Sequence, residues 1–440
     1  MKTILISSFH PFISRNILAT ELLGILTRQG VRVVVLIPKK KEAYFQEEFA
    51  QWIRAGVTFE PVVTNPSWRD RFINYLALSA LQTRSLRLKR ETEMRGRGKW
   101  ANPILSSALG KHMVRTLHLL MTPRGTFDSI FKRYEPRTVF ITDVNSLFDM
   151  RLAHDARNRH IAVLGMVRSW DNLTAKGYLR MVPDKLLVHS ETEKEEAINL
   201  HGVPPRNIEI VGIPHYDRYV QREAVGRDAF FKQLGIPLNK RLVLFTPTGD
   251  RYLTENTIDL DIVRFLDKEL PEDCHILVRL PPTDTVHSLE RFQGSRVTIE
   301  RPSTRFKTFK NIELAPGDDE HLADTLSWSD LVITGPSTIC IDAAFFDKPV
   351  ILVAYDGKSN RSYLTGLRRY YDYNHWDPIL KSGGAWMVES EDAFRAALKA
   401  YLRDPELHAT GRQHIVLKEA YKRDGKATER LAEELLSALS

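Results

Sequence analysis

The sequence predicts an α/β protein built of two Rossmann-like domains whose parallel sheets face a cleft. Three observations carry this expectation. The chain has 440 residues, more than one ordinary core organises and suited to two domains of roughly 200 residues each. Short apolar runs rich in Val, Ile and Leu alternate with helical stretches, the pattern of parallel strands covered on both faces. That pattern pauses near residue 215 and restarts near residue 241, which places the expected domains at 1–217 and 218–440.

The first domain opens with a strand at Thr3 to Ser7, a loop through Pro11, a helix from about Ser14 to Arg28 and a strand from Arg32 to Ile37, with Gly30 where a helix C-cap is expected. The opening apolar run breaks at Ser7 and is followed by His10, Pro11 and Arg15, so it reads as a buried strand and not as a signal peptide. A third alternation ends in Val57 to Val62. From Trp68 to about Leu120 the pattern is helical, and Arg84, Arg87, Lys89, Arg90, Arg95, Arg97 and Lys99 stand among its leucines. This basic stretch is either a solvated rim or a surface that touches anionic lipid or an acidic acceptor. Strands return at Thr138 to Thr142, Ala162 to Val167 and Lys185 to His189, closing near Glu209 to Gly212, with a linker from about His215 to Gly226.

The second domain repeats the grammar with strands at Arg241 to Thr246, His275 to Leu280, Leu331 to Thr334 and Pro349 to Val353. The last helix, from about Ala427 to Leu439, sets Leu431, Leu435, Leu436 and Leu439 at helical spacing. It is expected to pack into the cleft or back onto the first domain.

Composition narrows the function classes. Hydrophobic residues at 43% and charged residues at 27% are a globular mix. Cys274 and Cys340 have no spacing that suggests a disulfide framework or a thiolate metal site, which fits a reducing cytoplasm. No window approaches the ~20 apolar residues that span a bilayer, so the membrane association left open is peripheral, at the inner face. The net charge of +8 calls for anionic partners, and nucleic acid is set aside because the basic stretch lacks a recognisable motif with interleaved aromatics.

The strongest local signal is the run from Ser329 to Ile351. A buried strand enters Gly335-Pro336-Ser337-Thr338 and a helix begins at once. Backbone N–H groups and two hydroxyls at a helix start, at the carboxyl end of a parallel strand, suit a phosphate; the plainer reading is that Ser337 or Thr338 caps the helix. Asp342 follows one turn on. The run resembles the donor-binding strand, loop and helix of GT-B glycosyltransferases and of the related CDP-glycerol glycerophosphotransferases, down to its Lys348-Pro349-Val350-Ile351 end, and the closing Tyr421-Lys422-Arg423-Asp424-Gly425 resembles the end of those proteins. These motifs cover about a quarter of the chain. The resemblance implies a GT-B fold, Ser337 and Thr338 on a diphosphate, and Asp342 on a ribose or neighbouring hydroxyl. It also implies that Thr248 and Gly249 form a second phosphate-facing loop, with Arg251 or Arg279 offsetting the charge. Asp318 and Asp319, in Ala315-Pro316-Gly317-Asp318-Asp319, stand where these families contact the nucleotide base, or they cap a helix. One departure stands out: where the glycerophosphotransferases carry an Arg-Pro-His-Pro-like segment, this chain has Arg279-Leu280-Pro281-Pro282-Thr283, without the His.

Three base candidates follow strands of the first domain. His10 sits in Ser8-Phe9-His10-Pro11, where a near-neutral imidazole could take a proton. Asp171 sits in the polar cluster Ser169-Trp170-Asp171-Asn172 that runs on to Lys176, a loop similar to ones at the domain interface of the same superfamily. Asp143 follows the strand ending at Thr142. In this reading Ser169, Trp170, Asn172 and Lys176 contact the acceptor or a phosphate; each of these loops could equally be an elaborate turn.

The resulting expectation is a metal-independent transferase with no cofactor beyond its nucleotide-activated donor. It would move a sugar or related group to an acceptor hydroxyl, on a lipid-linked or polysaccharide carrier, in cell-surface polysaccharide or glycolipid synthesis. The alternatives are a nucleotide-sugar epimerase of the same fold, a CDP-glycerol-type glycerophosphotransferase, and a non-catalytic nucleotide-binding partner subunit.

Overall fold

In a computed structural model, the described residues are 1–93, 102–251, 253, 256–282, 284–290, 292–302, 312–314, 317–359 and 361–440. Arg95, Arg97, Lys99, Thr283, Ala315 and Pro316 of the sequence motifs lie outside them. The chain divides into two compact units, Met1–Arg218 with Asp424–Ser440, and Tyr219–Arg423. Residues 424–440 thus group with the first unit and not with Tyr219–Arg423.

The first unit is a seven-stranded, wholly parallel sheet: β1 (Thr3–Ser7), β2 (Arg32–Pro38), β3 (Thr58–Val62), β4 (Thr138–Ile141), β5 (Ala162–Met166), β6 (Lys185–Val188) and β7 (Ile208–Ile210). Its order is β3-β2-β1-β4-β5-β6-β7. The continuous apolar runs follow from burial on both faces, and Ile4, Leu5, Ile6, Val34, Val35 and Leu36 are all fully buried. The helix expected from Ser14 to Arg28 is broken: a π-helical turn spans Ser14–Leu18 and the α-helix begins only at Leu22. Thr20 marks the break, its hydroxyl donating to the Ile17 carbonyl and accepting from the Leu22 amide, the local side-chain bonding by which such residues interrupt helices.

The final helix, Ala427–Ser437, packs against the helix Leu22–Arg28 and buries Leu431, Leu435 and the following Leu439. Its start is capped from a distance, because the Asp217 carboxylate accepts the amides of Ala427 and Thr428 at 2.9 and 2.7 Å.

The second unit is a six-stranded parallel sheet: β8 (Arg241–Thr246), β9 (Cys274–Arg279), β10 (Val297–Glu300), β11 (Leu331–Thr334), β12 (Val350–Val353) and β13 (Trp386–Val388). It is ordered β10-β9-β8-β11-β12-β13. In both sheets the order reverses between the first strand and its later neighbour, β1 with β4 and β8 with β11. The carboxyl ends of such strands open the crevice where ligands of doubly wound sheets bind.

In the described part of the basic stretch, several basic side chains are engaged by the protein itself. In the helix Arg84–Thr92, Leu86, Leu88 and Arg90 are buried, and the Arg90 guanidinium donates to the carbonyls of Leu78 and Leu81. Lys89 Nζ donates to the Ala175 carbonyl. Amphipathic spacing buried the leucines and drew their basic neighbours onto free carbonyls. Among the described residues, no helix is long and apolar enough to cross a membrane.

Candidate functional site

In the first unit, the loops after β1, β4 and β5 meet around a cavity of about 500 Å³ lined by His10, Asp143, Arg168 and Lys176, with Asn74 and Lys89 among its other walls. The volume lies within the range of small-molecule sites. Asp143 is its anionic floor. Arg168 Nε donates to Asp143 Oδ2 at 2.8 Å, while Oδ1 accepts from the Asn145 amide at 2.9 Å and Asn172 Nδ2 at 3.3 Å. Burial pushes the Asp143 carboxyl up, but the Arg168 guanidinium beside it outweighs that and holds it below the usual carboxylate range.

His10 is half-buried, and its Nδ1 is bonded to the Pro11 carbonyl. A carbonyl only accepts, so Nδ1 carries the hydrogen and Nε2 is left with its lone pair. Burial, followed by the Arg168 charge, lowers the imidazole to about 4 against the opposing pull of Asp143. His10 is therefore neutral near pH 7 and able to accept a proton.

Asp149 lies beneath Asp143 and carries no sequence motif. Fully buried, it accepts from the Ser7 hydroxyl and the Asp143 amide through Oδ1, while Oδ2 has no hydrogen-bond partner. Burial, then the Asp143 charge, pushes its carboxyl up to about 6. Arg168 and Asn74 were likewise not singled out from the sequence, and Lys89 was named only within the basic stretch. Only Arg168 left a signal, a basic residue directly after a strand in the loop that already drew attention.

The other residues expected on the acceptor side lie in the loop after β5. Asp171 pairs with Lys176 Nζ at 3.1 Å, and the Asn172 amide donates to the Ser169 carbonyl. Asn172 is fully buried and braces Asp143, while Ser169 and Trp170 are half-buried.

In the second unit, the loops after β8 and β11 come together. Thr246 Oγ1 donates to Thr334 Oγ1 at 2.7 Å across the paired strands, and a Cβ at Gly335 would overlap the Thr248 hydroxyl. Ser337 is half-buried and Thr338 is exposed, so this turn is open to a ligand. The Ile339 amide donates to Ser337 Oγ at 3.4 Å. Asp342 is buried at the helix start and accepts from the Tyr219 hydroxyl at 3.0 Å.

Two expectations for this unit are corrected. The amides of Thr248 and Gly249 are not offered to a phosphate, because both donate to the buried Asp259 carboxylate at 3.0 and 3.1 Å. Gly249 adopts φ +92° and approaches Asp284, so its freedom serves the turn itself. Arg279 does not offset a phosphate either. Its two Nη atoms bind Glu300 at 2.7 Å and Asp318 at 2.9 Å, and all three side chains are largely buried. That triad also occupies Asp318; Asp319, beside it in the first turn of the helix Asp318–Trp328, is buried. Arg251 is exposed, with its amide on Asp284.

With this geometry in place, comparison with known proteins decides the family. The family described as CDP-Glycerol:Poly(glycerophosphate) glycerophosphotransferase matches residues 150–437, about two thirds of the chain. This chain belongs to that family. The match takes in Arg168, Asn172 and Lys176 and both loops of the second unit, while His10 and Asp143 precede it. The departure at Arg279-Leu280-Pro281-Pro282 is thus a feature of this glycerophosphotransferase-family member and does not separate it from the family. A curated relative, the teichoic acid poly(ribitol-phosphate) polymerase of Bacillus spizizenii, is 24% identical over 200 residues, covering 44% of this chain and 29% of that protein. The chain spans less than a third of that relative's length.

Solved structures agree on the fold. The S. aureus MnaA–UDP co-structure aligns with TM-score 0.60 at 12% identity, over 100% of this chain and 97% of that one. The Neisseria meningitidis UDP-GlcNAc 2-epimerase bound to UDP-GlcNAc gives 0.57 at 12%, over 99% and 100%. A glycosyltransferase from Rickettsia africae gives 0.53 at 12%, over 99% and 98%. The fold is that of the GT-B-type glycosyltransferases and epimerases.

Proposed function

We propose that this protein transfers a polyol phosphate from a nucleoside diphosphate carrier to an acceptor hydroxyl, with no cofactor and no metal. The observation that carries the reading is the cavity at the β1–β4 switch point. It sets a neutral imidazole, with its Nε2 lone pair available, beside the Asp143–Arg168 pair. In the reaction His10 Nε2 takes the acceptor proton as the acceptor oxygen bonds to the donor's distal phosphorus. The bond from that phosphorus to the bridging oxygen breaks and a nucleoside monophosphate leaves. Asp143 stabilises the imidazolium that forms, and Lys176, with Ser169 and Trp170 near it, contacts the acceptor.

The donor is assigned to the second unit, with its phosphates at Gly335, Ser337 and Thr338 and its ribose at Asp342. Family membership supports a cytidine diphosphate carrier, and the polymerase relative supports an acceptor on a growing polymer or its lipid-linked carrier. Such an acceptor would place the protein in the cytoplasm at the inner face of the membrane. A sugar donor is the second reading, favoured by the missing His after Arg279.

The leaving group separates the two readings, since polyol-phosphate transfer releases a nucleoside monophosphate and sugar transfer a diphosphate. The protein would be incubated with CDP-glycerol, CDP-ribitol or a UDP-sugar, each with a polyol-phosphate acceptor, and the released nucleotide identified. CMP release that disappears in His10→Gln while CDP-glycerol still binds is the expected result. UDP release without CMP selects the sugar, and no turnover with any donor removes the transferase assignment.

A further inference from the structure

A second cavity of the first unit, about 390 Å³, is walled by Arg115, Arg157 and Arg180, with Leu119, Asp184 and Asn207 around them. Asp184 and Asn207 immediately precede β6 and β7, so this cavity lies toward the amino ends of those strands, the opposite end from the His10 loops. Its positive charge is only partly compensated. Arg115 donates through Nε to the Leu179 carbonyl at 3.2 Å and through Nη2 to the His201 carbonyl at 2.6 Å. Arg180 is almost fully buried, and its Nη2 donates to the carbonyls of Asn145 and Ser146. Carbonyls accept hydrogen bonds without cancelling a charge. Among the described residues no carboxylate forms an ion pair with Arg115 or Arg180, although the Asp143 and Asp70 charges act on Arg180 through space; Arg157 donates to the Val182 carbonyl at 3.0 Å and comes within 3.8 Å of Asp184.

Each guanidinium has five donors, so donors remain on all three. Lys111, stacked with Arg115 on the Tyr178 ring and bonded to the Leu200 carbonyl, adds a further cation. Arginines that lack a close ion-pair partner and converge on one cavity are the pattern that takes a phosphate through paired N–H donors. We infer that this cavity is a binding site for a phosphate group, built from Arg115 and Arg157 near the amino ends of β6 and β7. The inference does not depend on the proposed transfer reaction. Burial lowers Arg180 to about 10, which still leaves it cationic at neutral pH.

Two sources offer this chemistry, a free phosphate compound or the headgroup of an anionic lipid. The second is worth testing because Leu119 lines the cavity and Leu109, Met113 and Leu120 of the same helix, Ala108–Met121, are exposed. The full chain would be titrated calorimetrically with inorganic phosphate at low ionic strength, as wild type, Arg157→Gln, Arg115→Gln and Arg115→Lys. Loss of one charge-assisted bond corresponds to weakening of about tenfold or more. That loss is expected in Arg157→Gln and Arg115→Gln, with partial recovery in Arg115→Lys. The Arg157 side chain is 43% exposed, so its variant keeps the test available if Arg115→Gln fails to fold. Flotation with phosphatidylglycerol vesicles and not with phosphatidylcholine vesicles, abolished in Arg157→Gln, would assign the headgroup. Phosphate binding without flotation would assign a soluble ligand. Phosphate affinity that is unchanged in Arg157→Gln, or no binding of phosphate or vesicles by the wild type, overturns the site.

Discussion

Replacing Asp149 by Asn should flatten the pH dependence of stability in the first unit. The carboxyl is moved from an ordinary 3.8 to about 6, by burial and then by the neighbouring Asp143 charge. At 1.36 kcal/mol per pH unit, a rise of roughly two units corresponds to roughly 3 kcal/mol. The sign follows from the raised value. Protonated Asp149 is the form the fold favours, so its contribution is fully present below about pH 3.8 and is lost as the pH climbs through about 6, above which a buried carboxylate must be carried. Asn offers the same Oδ1 to the Ser7 hydroxyl and the Asp143 amide and never ionises. Wild type and Asp149→Asn should therefore differ by a constant amount at pH 4, with the variant gaining roughly 3 kcal/mol on wild type by pH 8. For a unit of this size that is about 6–12 °C in Tm. Scanning calorimetry from pH 4 to pH 8 reads the difference directly, and two parallel Tm profiles would refute the buried, elevated carboxyl.

Other outcomes follow from the two loop pairs. His10→Gln should lower turnover about 10²–10⁴-fold with donor affinity nearly unchanged, as steady-state kinetics beside calorimetric donor titration would show. Because burial and Arg168 lower His10 to about 4, the acid limb of kcat/KM in the wild type should fall near pH 4 and not near the usual 6.5; a limb at 6.5 would mean that another group is the base. Gly335→Ala places a methyl against the Thr248 hydroxyl, so donor binding should weaken in the single variant and recover in Gly335→Ala combined with Thr248→Ala, measured by nucleotide titration. Arg279→Gln strands Glu300 and Asp318 and should cost about 3–5 kcal/mol of stability, seen as a lower denaturation midpoint for the second unit. If it changed donor affinity and left stability alone, Arg279 would be a ligand contact after all.

Much of the fold was legible because parallel strands buried on both faces must be continuous apolar runs, and β1, β2, β4, β5, β6, β8, β9, β11 and β12 all announce themselves in that way. The short strands β10 and β13 did not. Every residue of β10 and two of three in β13 are only half-buried, so they lack an unbroken apolar run. The break at Thr20 escaped because a single hydroxyl decides it.

Candidate site residues stood out in the sequence where local chain order places them. A small-residue turn between strand and helix marks Gly335 to Thr338, and polar loops after strands mark His10, Asp143 and the Ser169 to Lys176 segment. Local order cannot say where a carboxylate 10 or 39 residues away will point: Asp259 takes the amides of Thr248 and Gly249, and Asp318 takes Arg279.

The sequence by itself determined the layered α/β architecture and the loops on which chemistry is concentrated, since hydrophobic periodicity and turn composition are properties of consecutive residues. Only the tertiary structure decided which charges in those loops are spent on each other and which remain for a ligand. Pairing depends on distance in space and on burial, and both are set by how strands far apart in the chain come to lie side by side.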